Sequence, residues 1–294
     1  MLANDSCLVT KTPYARPSQV FADVFFRKMR GGSQSSLVGT SDGNFYVLKL
    51  ANNPQGPNTL FNEAFGSILS HHLGLPVPEW CPIQLSSSFI AMNPDLHFML
   101  AEGSRMPSTG LHFASKFVIA SNDDEVYEIV PERWMQRVQN PHFFAGALLL
   151  DIWTENVDRR QALFVEHSAN RALEVVFFDH GHMFRGPNGD KKLKNVTACL
   201  YYHRSIYLRA HDSGSIENWL CRIEGLSETM LQTMIERIPS EWCGRGVKGD
   251  SVELLMRNQQ TLRQKAKDFT EELLKDVKLR SSVVDGQNER SIYM

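Results

Sequence analysis

The stretch DIWTENVDRRQALFV, residues 151–165, decides the fold, because an apolar helix pattern runs into a polar turn and then into a short strand pattern. A second stretch, FFDHGHMF at 177–184, ends another strand pattern and continues into a glycine. The two strand patterns, separated by a polar turn, predict a hairpin embedded between helices. Asp158 precedes the first strand, and Asp179 follows the second. We therefore expect both carboxylates to converge at one end of the hairpin.

The patterns on the two sides of this hairpin differ. Short strand patterns surround one amphipathic helix in the N-terminal third, whereas the C-terminal third is helical. The polar stretch EGSRMPSTG, residues 102–110, is the predicted linker, and it divides the chain into parts 1–105 and 106–294. The predicted strands are 20–27 and 45–50, with a further extended region over 82–100 that the turn residues Asn93, Pro94 and Asp95 interrupt. The predicted helices are 58–73, 141–153, 215–222, 227–237 and 252–274.

Composition limits the classes of protein to which the chain can belong. With 294 residues and 42% hydrophobic composition, it can bury one large core or two packed lobes. The formal net charge of -2 argues against nucleic acid or an anionic membrane as the main partner. The five cysteines lack C-x-x-C spacing, no apolar run is long enough to cross a membrane, and residues 1–20 lack a signal-peptide core. These features predict a cytoplasmic protein.

Three features of the N-terminal part suit a bound nucleotide. Gly31, Gly32 and Ser33 lie between two strand patterns, where backbone amides and a hydroxyl can approach phosphate oxygens. Lys49, in the strand FYVLKL, would neutralise phosphate charge, and Glu63 on the following helix would hold its ammonium group in place. Taken singly, each feature has an ordinary explanation, namely a hairpin turn, an edge lysine and a solvated glutamate. Their order along the chain favours the functional interpretation.

The two carboxylates of the hairpin supply the other requirements of phosphoryl transfer. That reaction needs held phosphates, a metal bound by acidic or amide oxygens, and an acceptor group close to a carboxylate. A carboxylate base followed by an Asp-x-Gly has the order found in the C-terminal lobe of kinases. Asp158 is the candidate base, and Asp179 is the candidate metal ligand. His180 and His182 flank a glycine, but two histidines without a third ligand more often make structural contacts than a transition-metal site.

Further short motifs accompany these residues over roughly 20–245. They are VLK at 47–49, NEAFG at 62–66 with LGLPVP at 73–78, GLHFAS at 110–115, DIWTENVDRRQA at 151–162, FDHGH at 178–182 and IPSEW at 238–242. Together they resemble the HipA-like kinase family, a bacterial branch of the protein-kinase-like superfamily. The resemblance implies an α+β, protein-kinase-like bilobal fold. It has a mixed β/α N-terminal lobe (1–105) that binds ATP and a mainly helical C-terminal lobe (106–294) that carries the catalytic and metal-binding loops.

The same resemblance implies ATP and Mg²⁺ as ligands, with Asp158 as the base that orients the acceptor hydroxyl and Asp179 as the principal metal ligand. The sequence departs from the pattern at one position. Kinases of this superfamily usually carry an asparagine about five positions after the base, and here Leu163 stands there. Either Gln161 turns inward and supplies the missing amide oxygen, or the second metal position is absent.

The leading hypothesis is an ATP-dependent kinase that transfers the γ-phosphate to a serine or threonine hydroxyl of a protein. Leu163, and a loop with only two adjacent glycines, motivate an alternative, a nucleotide-binding pseudokinase that works as an interaction module. A third hypothesis is transfer of AMP from ATP bound in the inverted direction. The resemblance also suggests a toxin-like role against the translation machinery and a DNA-binding regulatory protein partner, without direct contact between this chain and nucleic acid or a membrane.

Overall fold

The computed structural model describes residues 19–120, 123–191, 199–212 and 214–290. Residues 1–18, which include Cys7 and most of the segment that lacks a signal-peptide core, lie outside these ranges. The strands are β1 (Val20–Lys28), β2 (Ser36–Thr40), β3 (Phe45–Lys49), β4 (Trp80–Leu85), β5 (Phe98–Leu100), β6 (Gly103–Arg105), β7 (Gly110–Lys116), β8 (Glu125–Tyr127), β9 (Gln161–Glu166) and β10 (Leu173–Phe178). The helices are α1 (Thr59–Leu73), α2 (Ser87–Met92), α3 (His142–Trp153), α4 (Ser205–Asp212), α5 (Ile216–Glu224), α6 (Glu228–Ile235) and α7 (Val247–Arg290), with short 3-10 helices at Glu132–Arg137 and Ser240–Trp242.

Five of the described strands close a barrel in the N-terminal lobe, in the order β1, β2, β3, β7 and β4. The neighbouring strands are antiparallel, except that β1 and β4 run parallel where the barrel closes. Val38, Leu48 and Ile83 are fully buried inside it, because alternate residues of a strand point to the same face. Closure also pairs the strand edges, which leaves the barrel as a rigid support for the side chains on its outer face.

Two expectations from the sequence differ from the structure. The pattern of residues 82–100 predicts extended chain, whereas the structure contains helix α2 there. The Ser86 hydroxyl caps this helix by accepting a hydrogen bond from Phe89 N at 3.1 Å. Strand β7 follows the predicted linker 102–110 and pairs with both β3 and β4, so its residues are part of the barrel. We therefore propose that the lobes divide after Lys116 and not at residue 105.

Helix α1 connects the barrel with the rest of the molecule. All but two of its residues are buried, which is expected of a helix that lies between packed layers. Phe61 and Phe65 pack against Phe184, which lies beyond β10, with ring centroids 6.1 and 5.2 Å apart, respectively. Gly74 ends the helix in the left-handed conformation, with φ of 84°. The helix is thereby fixed between the two lobes.

The hairpin predicted around residues 161–178 is present. Strands β9 and β10 pair antiparallel with Gln161 opposite Phe178, and β8 extends them to a three-stranded sheet. Helix α3 precedes this sheet in the chain. Trp153, its last residue, donates a hydrogen bond from its indole N–H to Leu255 O at 2.9 Å. Asp158 therefore precedes the sheet at the same end at which Asp179 leaves it.

Two findings bear on the expectations from composition. None of the helices in the described ranges is long and apolar enough to span a membrane. The four cysteines within these ranges, at positions 81, 199, 221 and 243, are free thiols.

Candidate active site

A cleft of about 730 Å³ lies between the barrel and the hairpin. This volume is in the range of small-molecule sites, about 300–1,000 Å³. The barrel, helix α1, the segment after β7 and the strands β9 and β10 all contribute to its walls. The apolar residues of the lining include Val47, Phe113, Val118, Val126, Ala162, Leu163 and Phe178. The charged and polar ones include Lys49, Glu63, Gln161, Asp179 and His180.

The glycine-rich turn between β1 and β2 borders the cleft. Gly31, Gly32 and Ser33 all line it, at the position that the sequence suggested for phosphate contact. Gly31 has φ of +123°, a conformation that residues with a Cβ rarely adopt, and Gln34 N donates to its carbonyl oxygen at 3.2 Å. Asn53 Nδ2 donates to Ser33 O at 3.1 Å. The turn is therefore anchored to the segment after β3 and presents backbone with little side-chain bulk to the cleft.

Lys49 lies between two carboxylates in the cleft. Its Nζ is 2.5 Å from Glu63 Oε1 and 2.7 Å from Asp179 Oδ1. Glu63 Oε2 also accepts a hydrogen bond from the backbone N–H of His180 at 3.1 Å. The Lys49 and Glu63 side chains are buried, so each charge needs a partner inside the protein. The structure thus brings together three predicted site residues that are far apart in the sequence.

The pKa values in this cluster follow from burial and from the shared lysine. Burial alone lowers the pKa of Lys49, but Asp179 and Glu63 outweigh it, so the pKa is raised above its usual value. Burial would raise the pKa of Asp179, but the Lys49 charge outweighs this effect and holds the pKa well below its usual range. For Glu63 burial dominates, and the pKa rises to about 7. Lys49 is therefore protonated and Asp179 is ionised at neutral pH, whereas Glu63 titrates close to neutral pH.

Gln161 and Leu163 lie two residues apart on β9, so their side chains point to the same face of the strand, and both residues line the cleft. Gln161 Nε2 donates to Asp179 Oδ2 at 2.9 Å. Leu163 offers no polar atom to a ligand. Because the Gln161 nitrogen is occupied by Asp179, its amide oxygen is the acceptor that remains for a metal or a water molecule.

Asp158 lies in the turn before β9 with its side chain 51% exposed. Its Oδ1 accepts a hydrogen bond from Arg159 N at 2.8 Å. Asn156 stabilises the turn, because its side chain accepts a hydrogen bond from Asp158 N at 3.3 Å and donates one to Asp158 O at 3.0 Å. The carboxylate is thus held by the backbone yet remains accessible to a second macromolecule.

A buried ion pair beneath this turn was not found by reasoning from the sequence. Arg160 is bonded to Asp151 through two of its nitrogens, with Nε 3.1 Å from Asp151 Oδ2. Another nitrogen of Arg160 reaches Phe178 O at 3.4 Å and His180 Nδ1 at 3.2 Å. The pair therefore joins α3, the turn of Asp158 and the segment of Asp179. The signal was available, because Asp151 ends an otherwise apolar helix pattern, and a buried carboxylate requires a partner.

The donor set suits Mg²⁺ better than a transition metal. Among the described residues, no group of three or more histidine, cysteine, aspartate or glutamate side chains can hold a metal ion. His180 is buried against Arg160, so it does not join His182 in such a site. Mg²⁺ prefers oxygen ligands and is commonly bound by one or two carboxylates together with phosphates and water. The Asp179 carboxylate, together with the Gln161 side-chain amide that is hydrogen-bonded to it through its nitrogen, provides oxygens of this kind.

Solved structures share this architecture. The Helicobacter pylori proinflammatory kinase CtkA matches with a TM-score of 0.55 at 13% identity, over 84% of this chain and 96% of that chain. Hydra Fam20 with sugar matches with a TM-score of 0.51 at 11% identity, over 86% of this chain and 85% of that chain. A Golgi casein kinase matches with a TM-score of 0.52 at 10% identity, over 83% of this chain and 73% of that chain. At these identities the likeness shows the fold, which is an α+β, bilobal, kinase-like fold.

Sequence comparison defines the family. Among curated proteins, no sequence matches this chain significantly. The family model described as HipA-like kinase matches residues 22–273, which is most of the chain. The protein therefore belongs to the HipA-like kinase family. Both the family and the fold class predicted from the sequence motifs are confirmed.

Proposed function

We propose that the protein is an ATP-dependent kinase that transfers the γ-phosphate of ATP to a serine or threonine hydroxyl of another protein. The contact of Lys49 with both Glu63 and Asp179 in the cleft carries this proposal. Kinases use such a lysine–glutamate pair, with a metal-binding aspartate, to organise phosphoryl transfer. A solved structure of the Golgi casein kinase, matched with a TM-score of 0.50 at 11% identity over 83% of this chain and 73% of that chain, has Mn/ADP bound. This supports a nucleotide and a divalent ion as ligands here.

The lining of the cleft assigns a role to each part of the ligand. Lys49 would neutralise phosphate charge, and the turn 31–33 would cover the phosphates with its backbone amides. Asp179 and Gln161 would hold Mg²⁺ through their oxygens. A bound Mg²⁺ supplies positive charge that orients the phosphates and offsets the charge of the transferred group. The apolar lining of the cleft would accept the adenine ring of ATP.

Asp158 is the proposed base. In the transfer, the oxygen of the acceptor hydroxyl forms a bond to the γ-phosphorus, and the bond from that phosphorus to the bridging oxygen breaks. The electron pair of the broken bond leaves with ADP, and the hydroxyl proton passes to the Asp158 carboxylate. The exposure of Asp158 supports a macromolecular acceptor, because a protein side chain can reach it from solvent.

The variant Asp158→Asn tests this assignment. Transfer of ³²P from γ-labelled ATP to dephosphorylated casein, or to the kinase itself, should fall by at least about 100-fold, the usual contribution of a general base. Binding of Mg-ATP, measured with a fluorescent analogue, should persist. Asp23→Asn is the matched control, because Asp23 is exposed on β1 away from the cleft. Unchanged transfer by Asp158→Asn would remove Asp158 as the base.

Leu163 favours a second candidate, a nucleotide-binding pseudokinase, because it removes an amide ligand that active kinases usually carry. Under this alternative Mg-ATP raises the melting temperature, but the wild-type protein consumes no ATP with any acceptor in a broad panel. Mass spectrometry of a modified acceptor distinguishes phosphate from AMP transfer, since the two adducts differ in mass. A phosphate adduct supports the proposed kinase.

A further inference from the structure

Two side chains that the proposed mechanism does not use are connected to Asp158, His182 directly and Gln55 through His182. His182 Nε2 is 3.9 Å from Asp158 Oδ2 and 3.5 Å from Gln55 Nε2. The His182 side chain is only 17% exposed, whereas Asp158 is half exposed. A carboxylate, an imidazole and an amide therefore form one polar cluster, which we call the Asp158 cluster. Gln55 and His182 lie outside the lining of the nucleotide cleft.

The backbone fixes His182 relative to Asp158. Val157 N, directly before Asp158, donates to His182 O at 3.0 Å. On the other side, Asn62 Nδ2 donates to the carbonyl oxygens of both neighbours of His182, Gly181 at 2.9 Å and Met183 at 2.8 Å. The backbone of His182 is thus held by hydrogen bonds to the turn of Asp158 and to helix α1.

The backbone of Gln55 is held by contacts to the glycine-rich turn and to the chain beyond Asp179. Its backbone N–H donates to Asn53 Oδ1 at 2.9 Å, and Asn53 in turn donates to Ser33 O in the glycine-rich turn. A Cβ on the next residue, Gly56, would lie 2.6 Å from Asn188 Oδ1, so this position tolerates only glycine. The segment 53–56 is therefore fixed between the glycine-rich turn and the chain beyond Asp179.

We propose that Gln55 and His182 form the acceptor subsite with Asp158, in which they position the hydroxyl that receives the phosphate. The inference rests on the proposed function. A hydroxyl oxygen makes hydrogen bonds of about 2.7–3.0 Å, so one oxygen fits within reach of both His182 Nε2 and Asp158 Oδ2. It donates its proton to Asp158 and accepts a hydrogen bond from the imidazole N–H or from the Gln55 amide. Gln55 and His182, like Asp158, are not part of the lining of the nucleotide cleft, although Gln55 Nε2 would lie 3.3 Å from a Cβ at Gly32. The proposal therefore assigns their hydrogen bonds to the acceptor hydroxyl and not to ATP.

Kinetics with two substrates test the subsite. In Gln55→Ala and His182→Ala, kcat/KM for dephosphorylated casein should fall at least about tenfold, since orientation of the reacting group contributes strongly to the rate. The Kd for Mg-ATP should stay within about threefold, because neither residue lines its cleft. His182→Gln keeps an N–H donor and should recover part of the loss. His167→Asn, on the far turn of the hairpin, is the control. Unchanged kcat/KM, or an equal loss of ATP affinity, would overturn the proposal.

A second measurement does not depend on phosphate transfer. Nitrogen NMR shifts of the His182 ring, assigned by their absence in His182→Gln, should change on addition of N-acetylserinamide but not N-acetylalaninamide. Gln55→Ala should weaken the serinamide response. An identical response to the two amides, or none, would overturn the subsite. If the wild type transfers no phosphate and the serinamide response is present, the kinase assignment fails while the hydroxyl-binding subsite stands.

Discussion

At the scale of single residues, the sequence departs from the kinase pattern at one position, and we propose that a neighbouring side-chain amide compensates for it. Leu163 stands where kinases usually carry an asparagine, five positions after the proposed base. Gln161, two residues earlier on the same face of β9, donates a hydrogen bond to Asp179 at 2.9 Å. The Gln161 amide therefore lies beside Asp179, and we propose that its oxygen supplies the missing ligand from two residues earlier. A glutamine carries the same acceptor as an asparagine on a chain one methylene longer, so β9 can keep its register while the ligand changes.

This compensation predicts the effect of Gln161→Leu. The variant removes the side-chain amide that is hydrogen-bonded to Asp179, so the Mg²⁺ concentration for half-maximal ATP binding should rise about tenfold. A fluorescent ATP analogue titrated with MgCl₂ measures it. The control is binding of the analogue without metal, which should change little. Equal Mg²⁺ dependence of the variant and the wild type would show that Gln161 is not a ligand and would favour the pseudokinase.

At the scale of elements, the hydrophobic periodicity of the sequence predicted the regular strands and helices. It missed strand β7, whose residues depend on tertiary contacts. The hairpin of β9 and β10 and helix α1 follow their apolar patterns, and Gly74 ends the helix as its residue type suggests. Strand β7 was missed because GLHFASK contains a histidine at a core position. His112 is buried there since Ala51 N donates to its Nδ1 at 2.8 Å and its Nε2 contacts Ser108 O at 3.0 Å. Ala51 belongs to a segment distant in sequence, and no local pattern reveals that contact.

His112 gives β7 a pH-dependent stability. Burial is the main cause that lowers its pKa from 6.5 to about 4. A folded pKa below the unfolded one means that this stability is present above about pH 6.5 and is lost as the pH falls toward 4. His112→Gln keeps a donor and an acceptor but does not titrate. Urea unfolding at pH 7.5 and 4.5 should show a pH-dependent loss smaller by about 2–3 kcal/mol in the variant. Parallel losses in the two proteins would contradict this role.

Two helical glycines should respond with opposite signs to the same substitution. A Cβ at Gly66 in α1 would lie 2.4 Å from His180 Cβ and 2.7 Å from Met183 Sδ. Gly66→Ala should therefore destabilise the protein by about 2 kcal/mol or more, although alanine is the better helix former. A Cβ at Gly249 in α7 meets no atom within 4 Å. Gly249→Ala should stabilise it by up to about 1 kcal/mol. Chemical denaturation measures both, and stabilisation by Gly66→Ala would contradict the close contact of α1 with His180.

At the scale of the whole molecule, the site exists because several segments meet between the lobes. The order of Lys49, Glu63, Asp158 and Asp179 along the chain was readable from the sequence, since each belongs to a recognisable strand, helix or turn. The pairing of Lys49 with Glu63 was also expected from the sequence. The contacts between residues more than a hundred positions apart were not readable, such as those by which Asn62 joins α1 to the chain beyond Asp179. Only the folded backbone determines which carbonyl groups face a buried amide.

Asn62 supplies the strongest test of this coupling between lobes. Its side chain is fully buried, and its amide nitrogen lies within hydrogen-bond distance of the carbonyl oxygens of Gly181, Met183 and Gly186, at 2.9, 2.8 and 3.3 Å. Asn62→Ala leaves these acceptors without their donor, which should cost about 2–3 kcal/mol. The segment after Asp179 should also become more sensitive to protease and bind Mg-ATP more weakly. Asn170→Ala is the matched control, because Asn170 accepts a single hydrogen bond, from Ala172 N, in an exposed turn. If unfolding and ATP binding change no more in Asn62→Ala than in Asn170→Ala, helix α1 does not position the metal-binding segment.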